Sequence, residues 1–99
     1  MIAPSEKRSA SRTALHALVA FERTALGPAA AGETLPQGVG RDISPQGLSF
    51  LTDRPLFPGE VVRLHLPVGA PRSEAPVFSQ VRWRRTTRHG YCVGLQFLA

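Results

Sequence analysis

VFSQVRW, residues 77–83, and YCVGLQF, residues 91–97, decide the class of fold, because each alternates side-chain character with a period of two. Val77, Val81 and Trp83 fall on one face, against Phe78, Gln80 and Arg82. Tyr91, Val93, Leu95 and Phe97 fall together, opposite Cys92, Gly94 and Gln96. Such a pattern marks a half-buried strand, with one face in a core and the other in water. It predicts Trp83 facing inward, with the neighbouring arginines solvating the outer face. Turn chemistry around His89-Gly90 separates the two strands.

The same reading extends upstream. EVVRLHL, residues 60–66, sets Val62, Leu64 and Leu66 against Arg63 and His65, after a Phe57-Pro58-Gly59 turn. GLSFLT, residues 47–52, sets Leu48 and Phe50 against Ser49 and Leu51. RTALHALVAFER, residues 12–23, carries two patterns at once. Leu15, Leu18, Val19 and Glu22 have helical spacing, and alanine favours helix; Leu15, Ala17, Val19 and Phe21 alternate as a strand would. The β surroundings favour strand. GPAAAGETLPQG, residues 27–38, reads as a mobile connection rich in small residues, Pro and Gly. Short strands between Gly/Pro turns predict an all-β fold, a small antiparallel barrel, with room for one short helix.

Composition narrows the function. At 99 residues the chain holds one domain and one core. Its 42% hydrophobic content suits globular folding. No apolar run approaches the ~20 residues of a membrane span. MIAPSEKRSASR, at the start, lacks the apolar stretch of a signal peptide, so a cytoplasmic protein is expected. A single cysteine, Cys92, excludes an internal disulfide and suits a reducing compartment. Lys and Arg number 12 against 7 Asp and Glu, a net charge of +5, with Lys7 the sole lysine. Arginine presents a planar fork that grips phosphate or a guanine edge, so an anionic partner is the natural expectation.

Catalysis finds no support. His16, His65 and His89 are scattered, Cys92 falls in mid-strand, and the Gly-x-Gly of GVGRDIS precedes no helix pattern. No nucleophile, base and orienting group can be assembled, so the chain reads as a binder and not an enzyme. RWRRTTR, residues 82–88, combines Arg82, Trp83 and Arg84 in a way that would suit single-stranded nucleic acid. An inward Trp83 argues against that use.

Two further stretches belong together. KRSASR, residues 7–12, places Arg8 and Arg12 four apart, ahead of the first β-like segment. RDISPQGLSF, residues 41–50, places Asp42, Ser44 and Gly47 at a junction between extended segments. Arg-x-x-x-Arg, a strand, then Asp-x-Ser-x-x-Gly resembles the PilZ domain family, bacterial receptors for cyclic di-GMP. Pro58-Gly59-Glu60-Val61 with LHL, then Val81-Arg82-Trp83 and Tyr91–Phe97, look like that family's later strands, so the likeness spans residues 8–98. The 27–38 connection departs from it as an insertion between the first two strands.

The resemblance implies a six-stranded barrel over residues 13–99 and a flexible segment, residues 1–12, that carries the arginines. It assigns cyclic di-GMP to Arg8, Arg12, Asp42, Ser44 and Gly47, with no cofactor or metal. The arginines would grip phosphates or guanine edges, and Asp42 would accept from guanine N–H groups. Ser44 would bond a base or phosphate, and Gly47 would permit a close backbone approach. Lys7, just before the first arginine, would bear on whether one or two ligand molecules enter. The implied role is a small stand-alone sensor that relays the messenger to an unidentified protein effector in motility, polysaccharide or adhesion control. The alternatives are a PilZ-like interaction module that binds no nucleotide, and a small barrel that binds RNA or single-stranded DNA.

Overall fold

In the computed structural model, which describes residues 12–26, 34–67 and 76–98, the alternating segments are strands. They run in chain order as β1 (Thr13–Ala14), β2 (Leu18–Arg23), β3 (Gln37–Ile43), β4 (Gly47–Thr52), β5 (Val61–His65), β6 (Val77–Thr87) and β7 (Gly90–Phe97). A 3₁₀ turn at Thr24–Leu26 is the helical content of the described residues. Antiparallel pairing runs β3–β2–β5–β6–β7–β4 and returns through β3–β4, so six strands close into a barrel. Closure leaves the ring without an open edge.

Within residues 12–23 the regular structure is strand, at 13–14 and 18–23, and not helix. Thr13 and Ala14 pair with Ile43 and Asp42, while Leu18, Val19 and Ala20 pair with Val39, Gly38 and Gln37. β1 and β2 are therefore two stretches laid along β3, separated where His16 takes a φ of +44°. Ladder bonds to β3 and β5 outweigh the helix propensity of the alanines. β3 already begins at Gln37, so the connection ends earlier than residue 38; residues 27–33 lie outside the described part.

The core is filled from the predicted faces. Val19 and Phe21, Leu48 and Phe50, Val62 and Leu64, Val77 and Val81, and Val93, Leu95 and Phe97 are buried together. Each such side chain contributes about 1.5–3 kcal/mol on burial. Phe21 and Phe50 meet across the interior with ring centroids 5.3 Å apart. The connection from β4 to β5 passes to the far side of the ring and delivers Leu56, fully buried, into the same cluster. There Arg23 grips Glu60 through both carboxylate oxygens. Burial pushes the Glu60 carboxyl up, but the Arg23 hydrogen bond, the Phe57 N–H and the Arg23 charge together hold it below the usual carboxylate range.

Trp83 departs from its predicted position. Val81 pairs with Leu95 and Trp83 with Gly94, so Arg82 is an extra residue in β6, a β-bulge. The bulge breaks the alternation, and Arg82 and Trp83 are both exposed. Among the described residues no helix is long and apolar enough to cross a membrane.

Candidate functional site

Ladder register draws one line of residues around the outside of the barrel. Ala14 stands opposite Asp42, Asp42 opposite Ser49, Ser49 opposite Gly94, and Gly94 opposite Trp83. A second bulge lies on this line. Gly40 pairs with Phe50 and Asp42 with Ser49, which leaves Arg41 as the extra residue of β3. The regular β4–β7 pair is thus flanked by two bulges at one level, and each inserts an arginine beside a residue of the line, Arg41 beside Asp42 and Arg82 beside Trp83. Bulges re-aim side chains in this manner at binding sites.

Arg12 comes to this line from the start of β1. Its Nη1 donates to Asp42 Oδ1 at 2.6 Å, and Ser49 Oγ donates to the same oxygen at 3.1 Å. Among the described residues Asp42 Oδ2 carries no hydrogen bond, so one oxygen positions Arg12 while the other stays open to a donor. Both partners of this ion pair are partly exposed, so its own worth in stability is small.

Next to the pair lies an open cleft of about 170 Å³, walled by Arg12, Ser44, Gly47, Ser49, Arg82 and Trp83. Sites that enclose a drug-sized molecule run to about 300–1,000 Å³, so this cleft is too small to enclose one by itself. β3 ends at Ile43, and Ser44 stands in the turn to β4, where its N–H donates to the Gly47 carbonyl at 2.8 Å. Its hydroxyl accepts from the Gln46 N–H at 3.2 Å and donates to Gln46 Oε1 at 3.3 Å. Ser44 therefore shapes the turn as well as lining the cleft.

Gly47 is required by proximity. A Cβ there would lie 2.0 Å from the Leu95 carbonyl oxygen, and its φ is not positive, so close approach is the reason for glycine. At Gly94 a Cβ would lie 2.1 Å from Trp83 Cε2, so the indole rests on the bare backbone of β7. Arg85 holds its guanidinium 5.5 Å from the Trp83 ring centroid.

Of the five residues expected at the site, Arg12, Asp42, Ser44 and Gly47 converge here, with Asp42 held behind the cleft by Arg12 and Ser49. Arg8 and Lys7 lie outside the described residues. Ser49, Arg82, Trp83 and Gly94 join the cleft without having been expected there. Ser49 carried a signal, since it lies on the polar face of its strand. Trp83 was hidden by the bulge.

Among the described residues no three His, Cys, Asp or Glu side chains gather as a metal site would require. No curated protein and no solved structure matches this chain. The family model for the PilZ domain does match, over residues 6–99, nearly the whole sequence. With its closed barrel and its Arg12–Asp42 cleft, this chain belongs to the PilZ domain family.

Proposed function

We propose that this domain binds cyclic di-GMP in the cleft beside the Arg12–Asp42 pair and passes the signal to a protein partner. The observation that carries the reading is the 2.6 Å contact between Arg12 and Asp42. It joins the two halves of the motif, thirty residues apart in sequence, at one open cleft. PilZ domains are receptor modules for this messenger and not enzymes, and the chemistry of the cleft suits it. The open Asp42 oxygen accepts from guanine N–H donors. Arg12 and Arg82 grip phosphate or a guanine edge, and the exposed indole of Trp83 offers a stacking face. Arg8, four residues ahead of Arg12, is the other arginine of the motif and supplies a second guanidinium to the nucleotide. The change this makes around the cleft is what the partner senses, in a pathway such as motility, polysaccharide or adhesion control.

Calorimetric titration with cyclic di-GMP tests the assignment. Loss of one charged hydrogen-bonding partner costs about 1.5–3 kcal/mol, or about ten- to a hundredfold in affinity. Arg8→Ala, Arg12→Ala and Asp42→Ala each weaken binding by that factor while the barrel stays folded. Unchanged affinity in all three removes the site.

A further inference from the structure

Leu18, Val39 and Leu51 stand side by side on neighbouring strands, in register, and all three are exposed, at 58%, 48% and 39%. At the ~4.8 Å strand spacing they form an apolar row of about 10 Å across β2, β3 and β4. Beside this row opens a groove of about 700 Å³, lined in part by Val39, Arg41, Leu51, Arg88 and Tyr91. Arg41 reaches Cys92 Sγ at 3.5 Å, a weak acceptor, and among the described residues neither Arg41 nor Arg88 has a carboxylate partner. The face is therefore apolar along one line, and its border carries Arg41 and Arg88 with a single carboxylate, Asp53, which Arg54 faces at 3.7 Å, so the border is cationic on balance.

We infer that this face docks an acidic amphipathic helix of a partner protein, laid across the strands over Leu18, Val39 and Leu51 with its carboxylates on Arg41 and Arg88. β2, β3 and β4 are each paired on both sides, so an incoming chain cannot add as a strand and must present side chains. A helix repeats its apolar positions about every 5.4 Å, near the strand spacing, so positions i, i+3 or i+4, and i+7 meet the row one by one. Charge complementarity selects an acidic helix. The inference rests on the reading that the domain hands its signal to a protein. Arg41 and Asp42 are adjacent in one bulge, which connects the face to the nucleotide cleft.

The probe is a synthetic fluorescent peptide with Leu at helical spacing and Glu on the flanking positions. A scrambled peptide of the same composition and a Lys-for-Glu peptide serve as comparisons. Anisotropy with the full chain shows binding of the helical acidic peptide only, at least tenfold weaker for Leu51→Ser and for Arg88→Glu. Amide NMR shifts fall on Leu18, Val39, Arg41 and Leu51. Equal binding of the scrambled peptide, insensitivity to Leu51→Ser, or shifts on another face overturns the inference. Self-association in sedimentation that Leu51→Ser abolishes also overturns it, since a second copy is then the occupant. Cyclic di-GMP titration of Leu51→Ser and Arg88→Glu gives wild-type affinity. A wild-type chain that binds the peptide but no nucleotide keeps this surface and loses only the nucleotide reading.

Discussion

Gly47 and Gly94 both lie against the cleft, yet they fail differently when given a methyl group. At Gly47 the obstacle is the Leu95 carbonyl, backbone of the neighbouring strand, at 2.0 Å. Backbone in a closed ladder cannot step aside, so Gly47→Ala is an overpacking change of about 1–3 kcal/mol or more. In a domain of this size each kcal/mol lowers the Tm by about 4–8 °C, which a thermal melt followed by circular dichroism reads directly. At Gly94 the obstacle is the indole of Trp83, a side chain 41% exposed and free to swing outward. Gly94→Ala therefore leaves the Tm within a few degrees and shifts the emission of the single tryptophan to longer wavelength. Because it removes the stacking face, it also weakens cyclic di-GMP by about tenfold, in line with the ~1–3 kcal/mol of one base–aromatic stack. An unshifted emission spectrum would show that Trp83 does not rest on Gly94.

Strands differ in how openly they declare themselves. β4, β5 and β7 were legible because their inward faces carry Leu, Val and Phe at period two. β3 was not, since its inward positions Gly38 and Gly40 are vacated for the Phe50 ring and the Leu15 side chain. β6 was legible as a strand but lost its phase at Arg82, because a bulge leaves no mark in the side-chain pattern. The motif residues of the cleft could be named from the chain; Arg82 and Trp83 could not be placed there by any rule of alternation. The connection between β4 and β5 supplies a separate test through the Arg23–Glu60 clasp. The folded-state pKa of Glu60 is depressed, so its contribution is complete above the unfolded value of about 4.3 and disappears as pH falls through the lower folded value. Glu60→Gln lowers stability by about 1–3 kcal/mol at pH 7. In urea titrations the gap between wild type and variant is constant down to the unfolded value of about 4.3 and narrows only as pH falls further. A gap that widens in acid would contradict the assigned sign.

At the scale of the molecule, the arginines among the described residues divide into two sets. Arg12, Arg23, Arg54 and Arg63 face carboxylates. Among the described residues Arg41, Arg82, Arg84, Arg85 and Arg88 have none within bonding distance, and Arg84 instead lies 4.8 Å from the Phe57 ring centroid and 5.1 Å from that of Tyr91. A surface with this much unpaired charge attracts any polyanion, so charge alone does not separate a dinucleotide receptor from a single-strand binder. Salt does. A chain that spreads over six to ten phosphates loses about 10³–10⁵ in affinity between 50 and 200 mM salt, because each contact releases counterions. A cyclic dinucleotide brings two phosphates, and much of its hold comes from guanine edges and stacking, so the same change costs it less than about tenfold. Titrating cyclic di-GMP and a short oligonucleotide at both salt concentrations therefore separates the two. The nucleotide keeps most of its affinity and displaces the oligonucleotide at 200 mM. If the oligonucleotide instead resists displacement there, the Arg82–Trp83 surface serves nucleic acid, and the Arg12–Asp42 pair is a structural remnant of the family's site.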